Sequence, residues 1–378
     1  MTLTVVNVAY PFAPVGPDPV GGAEQVLSKL DRAIVEGGGR SIVVAADSSR
    51  PCGELAALPR LSGEFGEADR RRMRQRLRGL LDLLIETAQP DLVHMHGSDF
   101  VSYLPNAPCP LLITLHMPLS WYPPGALSPQ RPRTWLNPVS ARQAIEAPAG
   151  AELLEPIEAG VDLPAPSARP RRHAVAMGRI CPEKGYHLAL DAARLAGVPL
   201  LLAGEVFPYP EHLAYFREEI VPRLDHDRRW IGPVRGAKKR RLLAQAFVVL
   251  APSLISETAS LVAREALAAG APVIAFPAGA LADVVEDGLT GFLVSGVAEM
   301  AGAIGKVRSL DSAVCRARAA ERFSARRMTE AYLNLYRRLA RTSERAADPS
   351  AKRRNGVPAP PDPSEPRRSQ GEHPHVVH

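Results

Sequence analysis

Two carboxylates, Glu257 and Glu265, stand eight residues apart and flank a short apolar turn. The second lies in a helix-forming run, 262–269, that stops at Gly270. Upstream, GRICPEKG puts Arg179 just past an apolar strand pattern and Lys184 five residues further on, where a helix begins. A diphosphate leaving group gathers negative charge as its bond breaks. Two cations at a strand's C-terminal edge, with helix amides beside them, stabilise that charge. Losing one such group typically costs about 3 kcal/mol in the barrier. The backbone amides of Ser260, Leu261 and Val262, at the start of the helix that carries Glu265, can bind a phosphate oxygen in the same way. In Gly21-Gly22-Ala23-Glu24 the glycines let backbone approach a ligand closely, and a helix directs its positive end there. Each feature also has a plainer reading: two surface cations in a loop, a capping Glu257 with a solvated Glu265, and an ordinary loop-to-helix junction.

Three histidines close strand patterns, His94 and His96 in LVHMH and His116 in TLH. Side chains alternate along a strand, so His94 and His96 share a face. Two histidines without a third ligand make no metal site; packing in a cleft wall and contact with an acceptor molecule are both open to them. Asp225-His226-Asp227 has the D-x-D form that can hold a metal, but it sits in a polar segment before RRWIGPV and reads as a turn. Cys52, Cys109, Cys181 and Cys315 are scattered, with no C-x-x-C pair, which argues against a zinc knuckle or a disulfide framework. The histidines near the C-terminus also lack metal-site spacing, so no metal site is expected. Gly37-Gly38-Gly39 follows a helix instead of opening one and reads as a cap and turn.

Strand and helix patterns alternate through the chain, which implies α/β architecture with parallel sheets. A first series has strands at 3–8, 41–46, 91–96, 111–116 and 135–140, with helices at 23–37 and 68–89. A second has strands at 174–178, 199–203, 230–232, 247–251 and 272–276, with helices at 185–196, 237–245, 262–269, 281–285, 299–309 and 313–322. The segment 326–341 places Met328, Tyr332, Leu335 and Leu339 at helical spacing. Beyond it Pro, Ser, Arg and His dominate, and 347–378 reads as a disordered tail.

With 378 residues, 46% of them hydrophobic, two ordinary domains can each have a core. The net charge of +6 favours anionic partners. No nucleic-acid-binding module is recognisable and no aromatics interleave the basic runs, so nucleic acid is not expected as a partner. Arg70, Arg71, Arg72, Arg74, Arg76 and Arg78 lie on one helix. They form either a solvated face or a peripheral contact with an anionic membrane. MTLTVVNVAY reads as a first strand without the basic start of a signal peptide, and the apolar runs are too short to span a bilayer. A cytoplasmic protein is expected, soluble or peripheral to the inner membrane face.

The stretch 256–294, with its E-x7-E spacing, the G-R-x4-K-G pattern before it and the G-G-x-E near the N-terminus, resembles the retaining, nucleotide-sugar-dependent glycosyltransferases of family 4. These have the GT-B fold, two Rossmann-like domains facing a central cleft. The resemblance implies a hexosyltransferase that moves a sugar from a nucleotide-diphosphate sugar, a UDP-sugar foremost, to a sugar, lipid-linked or small-molecule acceptor, with retention of configuration and no cofactor or metal. It implies that Arg179 and Lys184 stabilise the leaving diphosphate, that Glu265 holds the ribose and that Glu257 and His116 orient the hexose. Gly22, Ser260, Leu261 and Val262 would face the phosphates, and Val234, in IGPV, would lie beside the base through its backbone. The expected domains are an acceptor-side 1–155, a nucleotide-sugar-binding 156–322 and a helix, 323–346, that packs back on the first domain, followed by the tail. The acceptor is expected near 121–127. One departure stands out: Ala259-Ser260 replaces the family's usual Phe-Gly, which alters the floor expected for the sugar pocket. A non-catalytic nucleotide-sugar-binding protein, and an epimerase or phosphorylase of the same fold, are the alternatives.

Overall fold

The computed structural model describes residues 2–19, 21–59, 66–167 and 171–347. The first series runs β1 (Thr4–Val8), α1 (Gly22–Glu36), β2 (Arg40–Ala46), β3 (Glu54–Leu58), α2 (Glu67–Ala88), β4 (Leu92–Met95), β5 (Leu111–Leu115), β6 (Thr134–Pro138) and a short α3 (Ala141–Ile145). Its strands form one parallel sheet in the order β3-β2-β1-β4-β5-β6. The second series runs β7 (His173–Met177), α4 (Tyr186–Leu195), β8 (Leu200–Ala203), α5 (Pro210–Tyr215), β9 (Arg228–Trp230), α6 (Gly236–Ala244), β10 (Ala246–Ala251) and α7 (Leu261–Ala268). It continues with β11 (Val273–Ala275), α8 (Leu281–Val284), β12 (Gly291–Leu293), α9 (Val297–Lys306), α10 (Ser312–Phe323) and α11 (Ala325–Ala347). Its parallel sheet has the order β12-β11-β10-β7-β8-β9. Helices cover both faces of a doubly wound parallel sheet, which is why TVVNV and LLITL are almost wholly buried apolar runs and do not alternate.

Strand order reverses between β1 and β4 in one sheet and between β7 and β10 in the other. Open sheets of this kind bind ligands at such points, in the crevice beyond the strands' C-terminal ends. The loops that leave β7 and β10 carry GRICPEKG and the Glu257 turn, so topology alone brings these two motifs together.

Four elements were not expected from the sequence: β3, α3, α5 and β12. β3 is a short, Ala-rich edge strand, ELAAL, that depends on pairing with β2 (Ile42 opposite Glu54) and not on β propensity. α5 has only six residues and little helical periodicity. The basic helix α2 stays in place because Met73, Leu77, Leu81 and Ile85, each four residues on from the last, bury one face.

The chain passes between the two halves twice, and the two passages lie side by side. Residues 153–159 still follow β6: Leu154 N donates to Leu136 O and Ala159 N to Val139 O. The crossing therefore comes at Gly160–Val161, a few residues later than the expected boundary at 155. Val161 N then donates to Phe323 O, and Ala325 N donates to Val161 O (both 2.8 Å) as the chain returns. Beyond this second crossing α11 lies on the first half. Met328, Tyr332, Leu335, Tyr336 and Leu339 pack with Val5, Val26, Leu30, Ile34, Leu92 and Leu112. Each large side chain so buried is worth about 2 kcal/mol relative to exposure. Residue 347 is helical; the rest of the expected tail, 348–378, lies outside the described residues. No helix among the described residues is long and apolar enough to cross a membrane.

Candidate active site at the facing strand ends

The loop after β7 is tied to the loop after β10 by Leu254 N donating to Glu183 O at 2.8 Å. Lys184 forms an ion pair with Glu257 Oε1, and the Ser253 hydroxyl donates to the same oxygen. Gly185 follows at φ 62°, and a Cβ there would clash with the Pro252 carbonyl oxygen. The Lys-Gly pair is therefore a backbone requirement as well as a charge: only glycine lets the two loops close. Arg179, two residues past β7, is half-buried and forms no ion pair with a described residue. Glu265, on the second turn of α7, is held by Lys239 of α6 at 2.6 Å.

α7 begins at Ser260, a non-glycine residue at φ 48°, ψ 64° whose side chain makes no cap bond. The amides of Ser260, Leu261 and Val262 donate to no described residue, so this end of α7 is left open. Opposite stands the N-terminus of α1, across from the same turn: a Cβ on Gly22 would lie 3.3 Å from Leu261 Cδ1. Two helix N-termini, one from each half, thus face each other at the cleft. Glu24 folds back over Gly21 at the start of α1, and burial raises its carboxyl pKa. Lys29 also reaches across from α1. Burial lowers its pKa, and nearby Asp162 (3.8 Å) and Glu265 oppose the shift.

His116 leaves β5 at the same seam, where its carbonyl accepts the Thr258 hydroxyl at 3.0 Å. Its ring nitrogen Nε2 lies 3.0 Å from His96 Nδ1, and burial drives the His116 pKa down to about 3. His94 and His96 are wholly buried and also held neutral by burial. His94 bonds Tyr336 Oη and Thr114 Oγ1, each at 2.7 Å, and Tyr332 donates to Asn137 at 2.7 Å. Of the two readings open from sequence, wall packing describes His94; His96 packs beneath His116.

Val234 is half-buried against the second half's core, in the loop between β9 and α6. Ala259 does not open on a pocket. It is buried with Val5, Val26 and Leu30, in the seam between the halves, because the turn that carries it presses on the first half. The D-x-D segment is a turn: the Asp225 carboxylate accepts the amide (2.8 Å) and the guanidinium (2.9 Å) of Arg228. The arginines of α2 are mostly engaged. Arg72 pairs with Asp69, Arg74 with Asp99, Arg78 with Ser102 O, and Arg70 lies over Phe12.

Several site residues escaped the sequence. Arg264 is buried in α7, donates to Ala159 O and Glu158, and stacks on Phe323. Glu146 accepts the Ser256 hydroxyl at 2.9 Å, and Arg142 pairs with Asp283 at 2.9 Å, both across the cleft. Lys239 had a signal, the run GAKKRR before a strand; the rest depend on contacts between distant segments.

Comparison with known proteins accords with this geometry. The model of the family described as "Glycosyltransferase Family 4" matches residues 20–144, and that of "Glycosyl transferases group 1" matches 171–309. Between them they take in well over half of the chain and both strand-end sites. The chain belongs to glycosyltransferase family 4. Similar proteins include a D-inositol 3-phosphate glycosyltransferase of Mycobacterium marinum, 37% identical over 187 residues. That match covers 45% of this chain and 39% of the relative, so this chain matches only about two-fifths of that protein's length. Among solved structures, sucrose-phosphate synthase from Thermosynechococcus elongatus superposes with a TM-score of 0.70 at 19% identity, covering 90% of this chain and 100% of that one. HepE of Anabaena, in complex with UDP and glucose, superposes with a TM-score of 0.68 at 21% identity, covering 88% and 99%. The fold is GT-B.

Proposed function

We propose that this family 4 member transfers a hexose from a nucleotide-diphosphate sugar, a UDP-sugar in the first instance, to an acceptor, with retention at the anomeric carbon. The observation that carries this reading is the convergence of Lys184, Glu257, Arg179 and the α7 amides at the β7–β10 switch point, facing Gly22 and the start of α1. The complex of the related HepE fold with UDP and glucose supports the donor class. In this reading Arg179, Lys184 and the amides of Ser260, Leu261 and Val262 take up the charge of the leaving diphosphate. Glu265 accepts the ribose hydroxyls, exchanging Lys239 for them. Glu257, steadied by Lys184 and Ser253, and the neutral His116 orient the hexose, and the backbone at Val234 borders the base. The acceptor enters from the first half, past the half-exposed Trp121. Closing the two halves excludes water and aligns the reactants.

The test is a panel of UDP-, GDP-, ADP- and TDP-sugars with nucleoside diphosphate release as readout, alongside Lys184→Ala and Glu265→Ala. Release from one donor, abolished by both substitutions, supports the reading, and the anomeric configuration of the product then decides retention. Binding of a nucleotide sugar with no release, even when a broad acceptor mixture is supplied, would replace it with a binding protein. Return of an isomerised free donor would identify an epimerase.

A further inference from the structure

Cys181 and Glu183 lie in the loop after β7, and His212 lies in α5. The fold brings one potential ligand atom from each to within 4.8 Å of the others. Cys181 is fully buried and His212 is 7% exposed. Two atoms of this cluster, Glu183 Oε2 and His212 Nδ1, are buried without a hydrogen-bond partner among the described residues. A buried polar atom left unpaired costs about 1–3 kcal/mol, and two side by side in one cluster need a physical reason.

We propose that Cys181, Glu183 and His212 form a site for a Zn2+-class ion, with a fourth position left to water. Thiolate, imidazole and carboxylate together match the ligand preferences of zinc, and the sulfur and nitrogen disfavour Mg2+ and Ca2+. Binding replaces the S–H bond of Cys181 by a sulfur–metal bond and releases the proton to solvent. Without an ion that proton is firmly held, since burial pushes the thiol up to about 11. One thiolate and one carboxylate balance the ion's two positive charges, so nearby Arg179 meets no net repulsion. Neither cysteine spacing nor histidine spacing gave this site away: the third ligand arrives from α5, on the far side of β8.

The ion would fasten the loop that carries Arg179 and Lys184 to α5. That consequence rests on the donor reading above; the metal site does not. The experiment uses the full chain, stripped with a chelator and titrated with Zn2+ against a chromophoric competitor, with a parallel Co2+ titration. Wild type is expected to take up one more tight equivalent than Cys181→Ser, so metal held by the terminal histidines cancels. Glu183→Gln and His212→Ala each weaken that equivalent more than the 10–100-fold typical of outer-shell changes. Co2+ gives a thiolate charge-transfer band that Cys181→Ser loses and Cys52→Ser, at an exposed thiol, keeps. Circular dichroism confirms that each variant is folded. Equal stoichiometry and equal absorption in wild type and Cys181→Ser would overturn the site, whatever the sugar panel shows. If metal binds and nucleoside diphosphate release is absent with and without it, the site stands and the donor reading fails.

Discussion

Replacing Arg264 tests whether the seam between the halves is held by a specific fork or merely by buried surface. Its guanidinium is 1% exposed, donates to Ala159 O at 2.6 Å and to Glu158 Oε2 at 2.5 Å, and lies 4.4 Å from the Phe323 ring centre. Arg264→Met removes all three contacts. Leaving the buried Ala159 carbonyl unpaired costs about 1–3 kcal/mol, and the desolvated cation–π contact is worth about 2 kcal/mol. The Glu158 pair adds up to about 1 kcal/mol, because that carboxylate is 35% exposed and can rehydrate. Against this, methionine no longer carries a charge into the interior, where burial already lowers the arginine's pKa. Relief of that desolvation returns roughly half of the loss, leaving about 2 kcal/mol of destabilisation. Arg264→Lys should be worse still, since it keeps the buried charge but can neither bridge two acceptors nor stack flat. The assay is urea unfolding followed by circular dichroism. With m about 3 kcal/mol/M, the methionine variant should shift the midpoint down by about 0.7 M. The order wild type, then Met, then Lys is the signature. A lysine variant as stable as wild type would refute the fork, and a methionine variant that matched wild type would show the whole tie to be neutral.

Other substitutions separate chemistry from support. Lys184→Met should lower turnover about 100-fold, the loss of about 3 kcal/mol of leaving-group stabilisation; an unchanged turnover number would reduce Lys184 to a structural partner of Glu257. Ser260→Gly should raise stability by about 1 kcal/mol, because a side chain at positive φ is strained and this serine caps nothing; Ser260→Ala, measured by the same unfolding midpoint, should show no gain. Acid should destabilise the fold below about pH 6.5. The buried His94, His96 and His116 have lowered pKa values, so their stabilising contribution is present above the unfolded value and lost as pH falls towards the folded one. Each contributes a slope of up to about 1.4 kcal/mol per pH unit, and His96→Asn should flatten the stability profile measured from neutral pH down to about pH 4.

The alternation of apolar runs and amphipathic helices was legible because parallel strands buried on both faces leave long Val, Ile and Leu runs. GRICPEKG and the Glu257–Glu265 spacing were legible because each spans one loop and one helix start. What could not be read joins segments far apart in the chain. Lys239 meets Glu265 only once α6 and α7 pack on the same face, and Glu146 reaches Ser256 only when the halves meet. The position of Ala259 was misjudged for the same reason: local pattern cannot say whether a turn faces a cavity or the neighbouring half. β3 was missed because its register with β2 supplies what its composition lacks.

The paired crossings at 160–161 and 324–325 bear on how the molecule is made. The first sheet is complete in sequence by Pro138, yet its α1 face is only partly covered until the last helix is synthesised. A nascent chain that has emerged as far as Phe323 still lacks the α11 side chains that complete the cover of Val26, Leu30, Ile34 and Leu112, more than 200 positions downstream. The earliest half to emerge from the ribosome is thus the last to be sealed. Its closure depends on a contact of very high sequence separation, the kind that slows folding and prolongs exposure to aggregation. A chain that stops before Ala325 keeps both switch points and all the charged groups around them, but it lacks the cover that makes its first domain a finished globule.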